Sequence, residues 1–576
     1  MSSILQEFFH ARGWVQLSLA VDWWLYGGHP FGMHLTNVFL HIINTLLVFL
    51  IARKTVRLFE NHTHYTWKAG ILIPAGMLSA FLFALHPIQT ESVTYIISRS
   101  SLISTFAYLL TLWLEILIFS RWETGPTINF AHVFKLFSVL CVMAFGLVLG
   151  IGAKEIILSL PAAVLVYQWL FYKKKGQTGF FRDVCILLFP LVALFAYYLY
   201  MRIQAFGVIL PFEDIKVRTP LVNLMSQVYV IAFYYLPRIV FPVNLNLDPQ
   251  IPEIHSFLDI RFLGAACVLL LLLVMAFLTS KRKPLITFSI LWLFITLSVT
   301  SSFIPLMDLA AEHRLYLPLG GLVLGFECLV LICYRRPSLV RRLLPFAYAL
   351  VLALPLLTVT RNIVYTNPVT MWRDSAILSP KKFRPLRNTG AALIQSGQTE
   401  KAVQLFTSKY KGVTADRRKI RSLEDLDFTI SLLVPRGMYV QKSLQKTEAL
   451  VQKNPNSVPH LELLQKVYYL TGEFQKLAVV VDHTLEIHRG SLPSIIHKAF
   501  LLQMEGKVEQ AIKILKRGTR WHPNEITLYK QLRTLYQSQN KATPDLDQKI
   551  QKLESFYSEY QSRFNYMQNR PNTLAD

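Results

Sequence analysis

The sequence predicts an all-α protein: a polytopic helical membrane body of about ten spans, followed by a C-terminal solenoid of short helical repeats. Three observations carry that prediction. Hydrophobic residues make up 53% of the 576 and charged residues only 16%, with a mean hydropathy of +0.38, so the chain holds more apolar surface than one water-soluble core buries. Apolar runs of about 20 residues, the length that crosses roughly 30 Å of hydrocarbon as a helix, recur up to position 360. From Arg361 onward those runs stop, and helix-like sequence of mixed charge with a 34-residue period replaces them. This composition excludes intrinsic disorder, collagen and disulfide-scaffold classes.

The elements follow in order. Gly13 to Gly28 carries Trp14, Leu17, Leu19, Val21, Trp23, Trp24 and Tyr26, which suits a helix at headgroup level and makes 1–33 an interfacial segment on the non-cytoplasmic side. No basic stretch leads into an uninterrupted apolar run there and no small-residue cleavage site follows, which argues against a signal peptide. Within a membrane domain at 34–360, spans are expected near 34–52, 70–86, 101–120, 133–152, 156–172, 184–201, 262–280, 285–303, 315–334 and 343–360. A further apolar stretch, 222–243, is interrupted by Pro237, Arg238 and Pro242; interior prolines remove a hydrogen bond and kink the axis.

The five cysteines, Cys141, Cys185, Cys267, Cys328 and Cys333, lie in or at the ends of apolar runs and read as small hydrophobes. The 59 Lys and Arg against 35 Asp and Glu give a net charge of +24. Many flank apolar runs without interleaved aromatics, so they orient a membrane protein and imply no nucleic-acid partner. Arg53, Lys54 and Arg57; Lys173 to Lys175; Lys281 to Lys283; and Arg335, Arg336, Arg341 and Arg342 all fall on one face if 222–243 returns to the side it entered. With that face cytoplasmic, both termini are external.

The opposite face then collects His86-Pro87 through Glu91 to Arg99, Lys154-Glu155, Arg202 to Arg261, and Asp308 through Glu312-His313-Arg314. Charged side chains at a membrane edge face a cavity or a partner, so these loops suggest a polar pocket. Each has a bland reading. His86 suits a His-Pro helix cap as well as a ligand contact. Glu91 and Arg99 are two helical turns apart and suit an internal pair. Lys154 can snorkel, with Glu155 on another face. His313 suits either a structural hydrogen bond or a switchable base. Asp22 reads as a helix cap, Arg238 as a kink-site anchor, and Glu213-Asp214 and Asp248 as solvent-exposed acids without metal-ligand spacing.

In the tail of about 215 residues, Gly472 and Gly506 are 34 apart, and Pro455 and Pro523 twice that. That is the tetratricopeptide period, and Ala511 and Ala402 follow Gly506 and Gly397 as the small residues of paired helices. Gly397 and Gly437 break register, leaving 458–525 as the regular tract. The expected organisation is a linker at 361–385, tetratricopeptide-like repeats at 386–541 with a concave binding face, and a C-terminal helix and tail at 542–576.

Pro30-Phe-Gly-Met-His-Leu-Thr-Asn-Val-Phe-Leu-His41, Phe83-Ala-Leu-His-Pro-Ile-Gln-Thr-Glu-Ser92, Lys154-Glu155 before Leu160-Pro161, and Ala311-Glu-His-Arg-Leu-Tyr-Leu-Pro318, with Trp372-Arg-Asp374 leading into the repeats, resemble signatures of the transmembrane and tetratricopeptide repeat proteins. That group includes the eukaryotic O-mannosyltransferases of the endoplasmic reticulum and many bacterial relatives. The resemblance implies a GT-C-like membrane body with its site facing the lumen or periplasm, a polyprenyl-phosphate-linked sugar as donor substrate, and a protein hydroxyl as acceptor. It tips Lys154 and Glu155 toward function; with His86, Arg99 and Arg314, the last from a run of three ionisable residues between apolar spans, they are the candidates for substrate or phosphate contact, and Glu91, Glu312 and His313 are those for the chemistry. No metal ligand set is assigned.

Such proteins generally open with an additional span and an external loop bearing the acidic base, whereas Arg12-Gly13-Trp14 resembles the stretch just after that loop. A longer natural chain, Glu91 as substitute base, or a member without transferase activity each accommodate this. The expectations are a membrane glycosyltransferase of the bacterial inner membrane with periplasmic repeats holding an acceptor or partner protein, or a catalytically inactive membrane scaffold using the repeats for envelope assembly. A transporter fits less well, since only 222–243 is broken.

Overall fold

The computed structural model describes residues 12–27, 29–63, 76–121, 130–172, 218–333, 337–407 and 422–568, which are mostly helical with no strand among them. The predicted span 184–201, the Lys173 to Lys175 cluster and Glu213-Asp214 lie outside these residues. The chain divides into two compact units, Met1–Leu378 and Ser379–Asp576.

The first unit begins with α1 (Gly13–Tyr26), α2 (Pro30–Thr63) and α3 (Met77–Leu85). Short turns then lead through α4 (Thr90–Thr94) to α5 (Arg99–Arg121), α6 (Phe130–Ile151) and α7 (Leu160–Phe171). Next comes α8 (Pro220–Tyr229), continued by a π turn at Val230–Tyr235 into α9 (Leu236–Val240). The unit closes with α10 (Ile260–Thr279), α11 (Pro284–Ser298), α12 (Tyr316–Cys333), α13 (Pro337–Val364) and α14 (Pro368–Leu378). Among the described residues, Pro30–Leu58, Ile96–Phe119, Val133–Ile151 and Ile260–Thr279 are long and apolar enough to cross a bilayer; Glu155–Phe171, Pro284–Ser298 and Leu352–Val364 are apolar but shorter. The protein is thus an all-α, multi-pass membrane protein. α10 turns Leu270, Leu271, Phe277 and Leu278 outward, the pattern of a helix whose solvent is hydrocarbon.

In lipid, burying apolar side chains drives helices together only weakly, so close backbone approach and interhelical hydrogen bonds hold the bundle. α11 meets α12 at Gly321, where a Cβ would lie 2.3 Å from the Trp292 ring, and α5 meets α6 at Gly146, where a Cβ would lie 1.9 Å from Thr111 Oγ1. The Trp292 ring packs edge-on to Tyr108 at 5.3 Å and its Nε1–H donates to Leu317 O. Asn44 donates to Leu102 O, and His41 bonds Tyr316 Oη at 2.7 Å, so these two polar side chains of the apolar interior find partners on neighbouring helices.

Residues 361–378, expected as linker, instead continue α13 to Val364 and form α14, and they belong to the membrane unit. The second unit consists of α15 (Arg384–Gln395), α16 (Thr399–Thr407), α17 (Leu423–Leu433), α18 (Val440–Lys453), α19 (Val458–Thr471), α20 (Phe474–Ile487), α21 (Leu492–Met504), α22 (Val508–Trp521), α23 (Ile526–Ser538) and α24 (Pro544–Gln568). Gly397, Gly437, Gly472 and Gly506 all have φ between 69° and 77° in the turn that joins the two helices of a pair. Only glycine adopts that left-handed turn without penalty, so the four positions are equivalent although the first two break the 34-residue spacing. Sequence register had hidden this recurrence, because pairs of unequal length shift the numbering without altering the turn.

Candidate functional site

Three loops of the membrane unit build the site. The first follows α3: His86 ends that helix in extended conformation, and Pro87 starts a 3-10 turn to Gln89, from which α4 carries Glu91. The second is Lys154, extended, ahead of the 3-10 turn Glu155–Ser159. The third is the 3-10 turn Glu312–Leu315 that opens α12. The first and third turns pack on each other.

Glu91 and His313 meet across 222 positions. The His313 backbone N–H donates to Glu91 Oε2 at 3.0 Å, and Nδ1 lies 2.5 Å from Oε1. Burial alone raises the Glu91 pKa, but His313 through its charge and hydrogen bonds, helped by the Lys154 charge, outweighs burial and holds the carboxyl below its ordinary value. Burial lowers the His313 pKa more than the Glu91 charge raises it. No hydrogen bond engages Nε2 among the described residues, and the side chain is 28% exposed.

Glu312 takes the opposite state. Burial pushes its pKa up to about 8, against the nearby positive charge of Arg361 and with the help of Glu91, so it is protonated at neutral pH. Its Oε1 accepts from Asn246 N–H at 2.5 Å and from Tyr234 Oη at 3.4 Å. Two carboxyls with separated ionisation is an arrangement that supports acid–base division of labour.

Two cations complete the site. Lys154 Nζ donates to Ser101 Oγ at 2.8 Å, and burial, with the charges of Arg12 and Arg314, brings its pKa down to about 7. Arg314 is buried and donates from both terminal nitrogens to the carbonyls of Leu309 and Asp308. Neither makes an ion pair with a carboxylate among the described residues. Buried cations with no carboxylate at ion-pair distance favour an anionic ligand. No group of three or more His, Cys, Asp and Glu could hold a metal ion among the described residues.

The remaining candidates lie elsewhere. Arg99 does not pair with Glu91: it is fully buried against Asp22 at 2.5 Å and donates also to Asn37, Met33 O and Ser18. This ties α5 to α1 and α2, so Asp22 is an ion-pair partner within α1 and not a helix cap. His86 accepts from Ile88 N–H at Nδ1 and donates from Nε2 to Ile239 O, which commits both ring nitrogens to structure. Glu155 is half-buried at the start of its 3-10 turn, and its charge acts on Lys154. Arg238, in α9, reaches back to the end of the π turn, donating to Tyr234 O with its guanidinium 3.7 Å over the Tyr234 ring.

Asp248, expected in solvent, is buried, because the segment after α9 folds inward: its N–H bonds Asn246 Oδ1 and Ser375 Oγ. Sequence reasoning missed Arg361, Asn246, Tyr234 and Ser101. Arg361 sits at the end of an apolar run, where it reads as the first residue of the tail; its Nη2 lies 3.8 Å from Glu312 and its Nη1 2.9 Å from Asp374. The Trp372-Arg-Asp374 motif was the available signal for that pair.

No family profile matches the chain. The chain is 30% identical over 269 residues to the protein O-mannosyl-transferase Tmtc2 of Drosophila melanogaster, covering 44% of this chain and 25% of that protein. It is 22% identical over 391 residues to a protein O-mannosyl-transferase of Caenorhabditis elegans, covering 66% and 50%. A 94-residue stretch is 38% identical to Drosophila Tmtc1, covering 16% of this chain and 9% of that protein. The chain thus spans a quarter of the first relative's length and half of the second's. These stretches are thus similar in sequence to parts of the TMTC protein O-mannosyl-transferases, the group whose signatures the sequence resembles.

Proposed function

We propose that the chain is a membrane glycosyltransferase that moves a sugar from a polyprenyl-phosphate donor to a hydroxyl of a protein. The observation that carries this reading is the Glu91–His313 pair beside Lys154 and Arg314, two buried cations with no carboxylate partner among the described residues. In the step, the acceptor oxygen bonds to the anomeric carbon, the carbon–oxygen bond to phosphate breaks, and the lipid phosphate leaves with the electron pair. His313 Nε2 takes the hydroxyl proton while Glu91 fixes the tautomer and steadies the imidazolium. Arg314 and Lys154 receive the phosphate charge, and protonated Glu312 donates a hydrogen bond to it. Arg99 and His86 act on positioning, since their donors and acceptors are already committed.

The second unit, read as tetratricopeptide-like repeats, holds the acceptor or a partner protein. Charge parity of the loops puts site and repeats on the non-cytoplasmic face, which is periplasmic in a bacterial inner membrane. Purified protein given a labelled lipid-linked sugar and an acceptor extract should label protein. Arg314→Ala and His313→Gln should each lower turnover by about 10²–10³-fold. Undiminished transfer by Arg314→Ala would remove it from the site. No transfer by the wild type, with unchanged partner binding, would favour a catalytically inactive scaffold instead.

A further inference from the structure

The second unit carries a groove of about 540 Å³ running across α17, α19 and α21. Its floor is apolar, with Leu423, Leu463, Leu492 and Ile496, and its walls bring Glu424, Asp427 and Glu462 together with one cation, Lys466. The volume is within the range of ligand clefts. A buried network sets the spacing of α19 and α21: Gln465 donates to Thr484 Oγ1 and Ser494 Oγ, and its Oε1 meets His497 Nδ1 at 3.2 Å.

The charges are unevenly compensated. Asp427 takes Lys466 at 2.6 Å, and Glu424 takes Arg387 at 2.7 Å while remaining 79% exposed. Glu462 accepts only the Ser491 hydroxyl, at 2.7 Å, and has no ion pair among the described residues. Elsewhere in 379–576, Lys and Arg outnumber Asp and Glu. A cationic segment is therefore repelled by most of this unit and attracted at the groove, which is the charge complementarity that selects a partner.

We propose that this groove binds an extended segment of a protein in which apolar residues alternate with Lys or Arg. In an extended chain successive side chains point to opposite sides, so one set seats on the leucine floor while the other reaches the carboxylates at the rim. Glu462 is the anchor, and Glu424 exchanges Arg387 for the incoming cation. This rests on the reading of the second unit as a protein-docking array and not on the transferase chemistry.

The test uses the full chain in nanodiscs of neutral lipid and short fluorescent peptides that share apolar residues but carry Lys, Gln or Glu between them. Anisotropy should show the Lys peptide binding at least about tenfold more tightly than the other two. Glu462→Lys with Glu424→Lys should abolish that preference, with sugar transfer to a peptide lacking basic residues unchanged. Glu509→Lys, outside the groove, should leave the preference intact. Equal binding of the Lys and Gln peptides, or equal loss in Glu509→Lys, would overturn the proposal. Loss of transfer with the Lys preference retained would instead count against the chemistry proposed above.

Discussion

At the scale of single residues, the decisive matter is which charges are spent on structure. Arg99 and Asp22 neutralise each other with almost no solvent contact, so removing one strands the other in a low-dielectric setting. Arg99→Met should cost about 3–5 kcal/mol, read as a lowered melting temperature in detergent. Lys154 and Glu312 have a different task in the proposed mechanism. Lys154 carries its charge below about 7 and Glu312 is neutral below about 8, so both favour an anion at pH 6 and both cease to at pH 9. The free-enzyme profile of kcat/KM should fall as pH rises through 7 to 8, and Lys154→Met should leave only the later fall. Stability moves with Glu312 in the same direction. Its raised folded value means that stability present below the unfolded carboxyl pKa is lost between about 4.5 and 8, so Glu312→Gln should flatten the decline of melting temperature over that window.

At the scale of helices, contact geometry matters more than composition. Gly321 and Gly146 are the points where backbones come within reach of Trp292 and Thr111. Gly321→Val should lower thermal stability in detergent by about 1–3 kcal/mol through overpacking, and Trp292→Ala in the same chain should recover part of that loss. The π turn at Val230–Tyr235 is the counterpart in α8 and α9. It places Tyr234 toward Glu312 and Tyr235 Oη toward Ala311, so the interruption signalled by Pro237 and Arg238 is a shaped segment that lines the site.

At the scale of the molecule, the proposed orientation turns the loops toward an external compartment. A reporter inserted in the turn at Asn540 should be active on the non-cytoplasmic side, and a second inserted after Lys281 should be active in the cytosol. The reverse result would undo the charge parity and the lipid-linked donor with it.

Most helices were readable because hydropathy and helical period are local properties, set by side chains within a few turns. The ion pairs were not. The eight-residue spacing of Glu91 and Arg99 suggested one pair, but the break after α4 and the 3-10 turn Ile96–Ser98 between them re-aim the side chains, toward His313 and Asp22 respectively. The equivalence of Gly397 and Gly437 to the later turns was equally hidden, since backbone φ and not spacing defines it.

By itself the sequence determined the class: a helical membrane body with ionisable loops gathered near span ends, then a helical array of mixed charge, because transfer of apolar runs from water dominates every alternative arrangement. Tertiary structure alone decided which charges meet. Lys154 and Arg314 keep no carboxylate among the described residues while Arg99 is consumed by Asp22, and that outcome depends on contacts tens to hundreds of residues apart. No local free-energy term encodes those contacts.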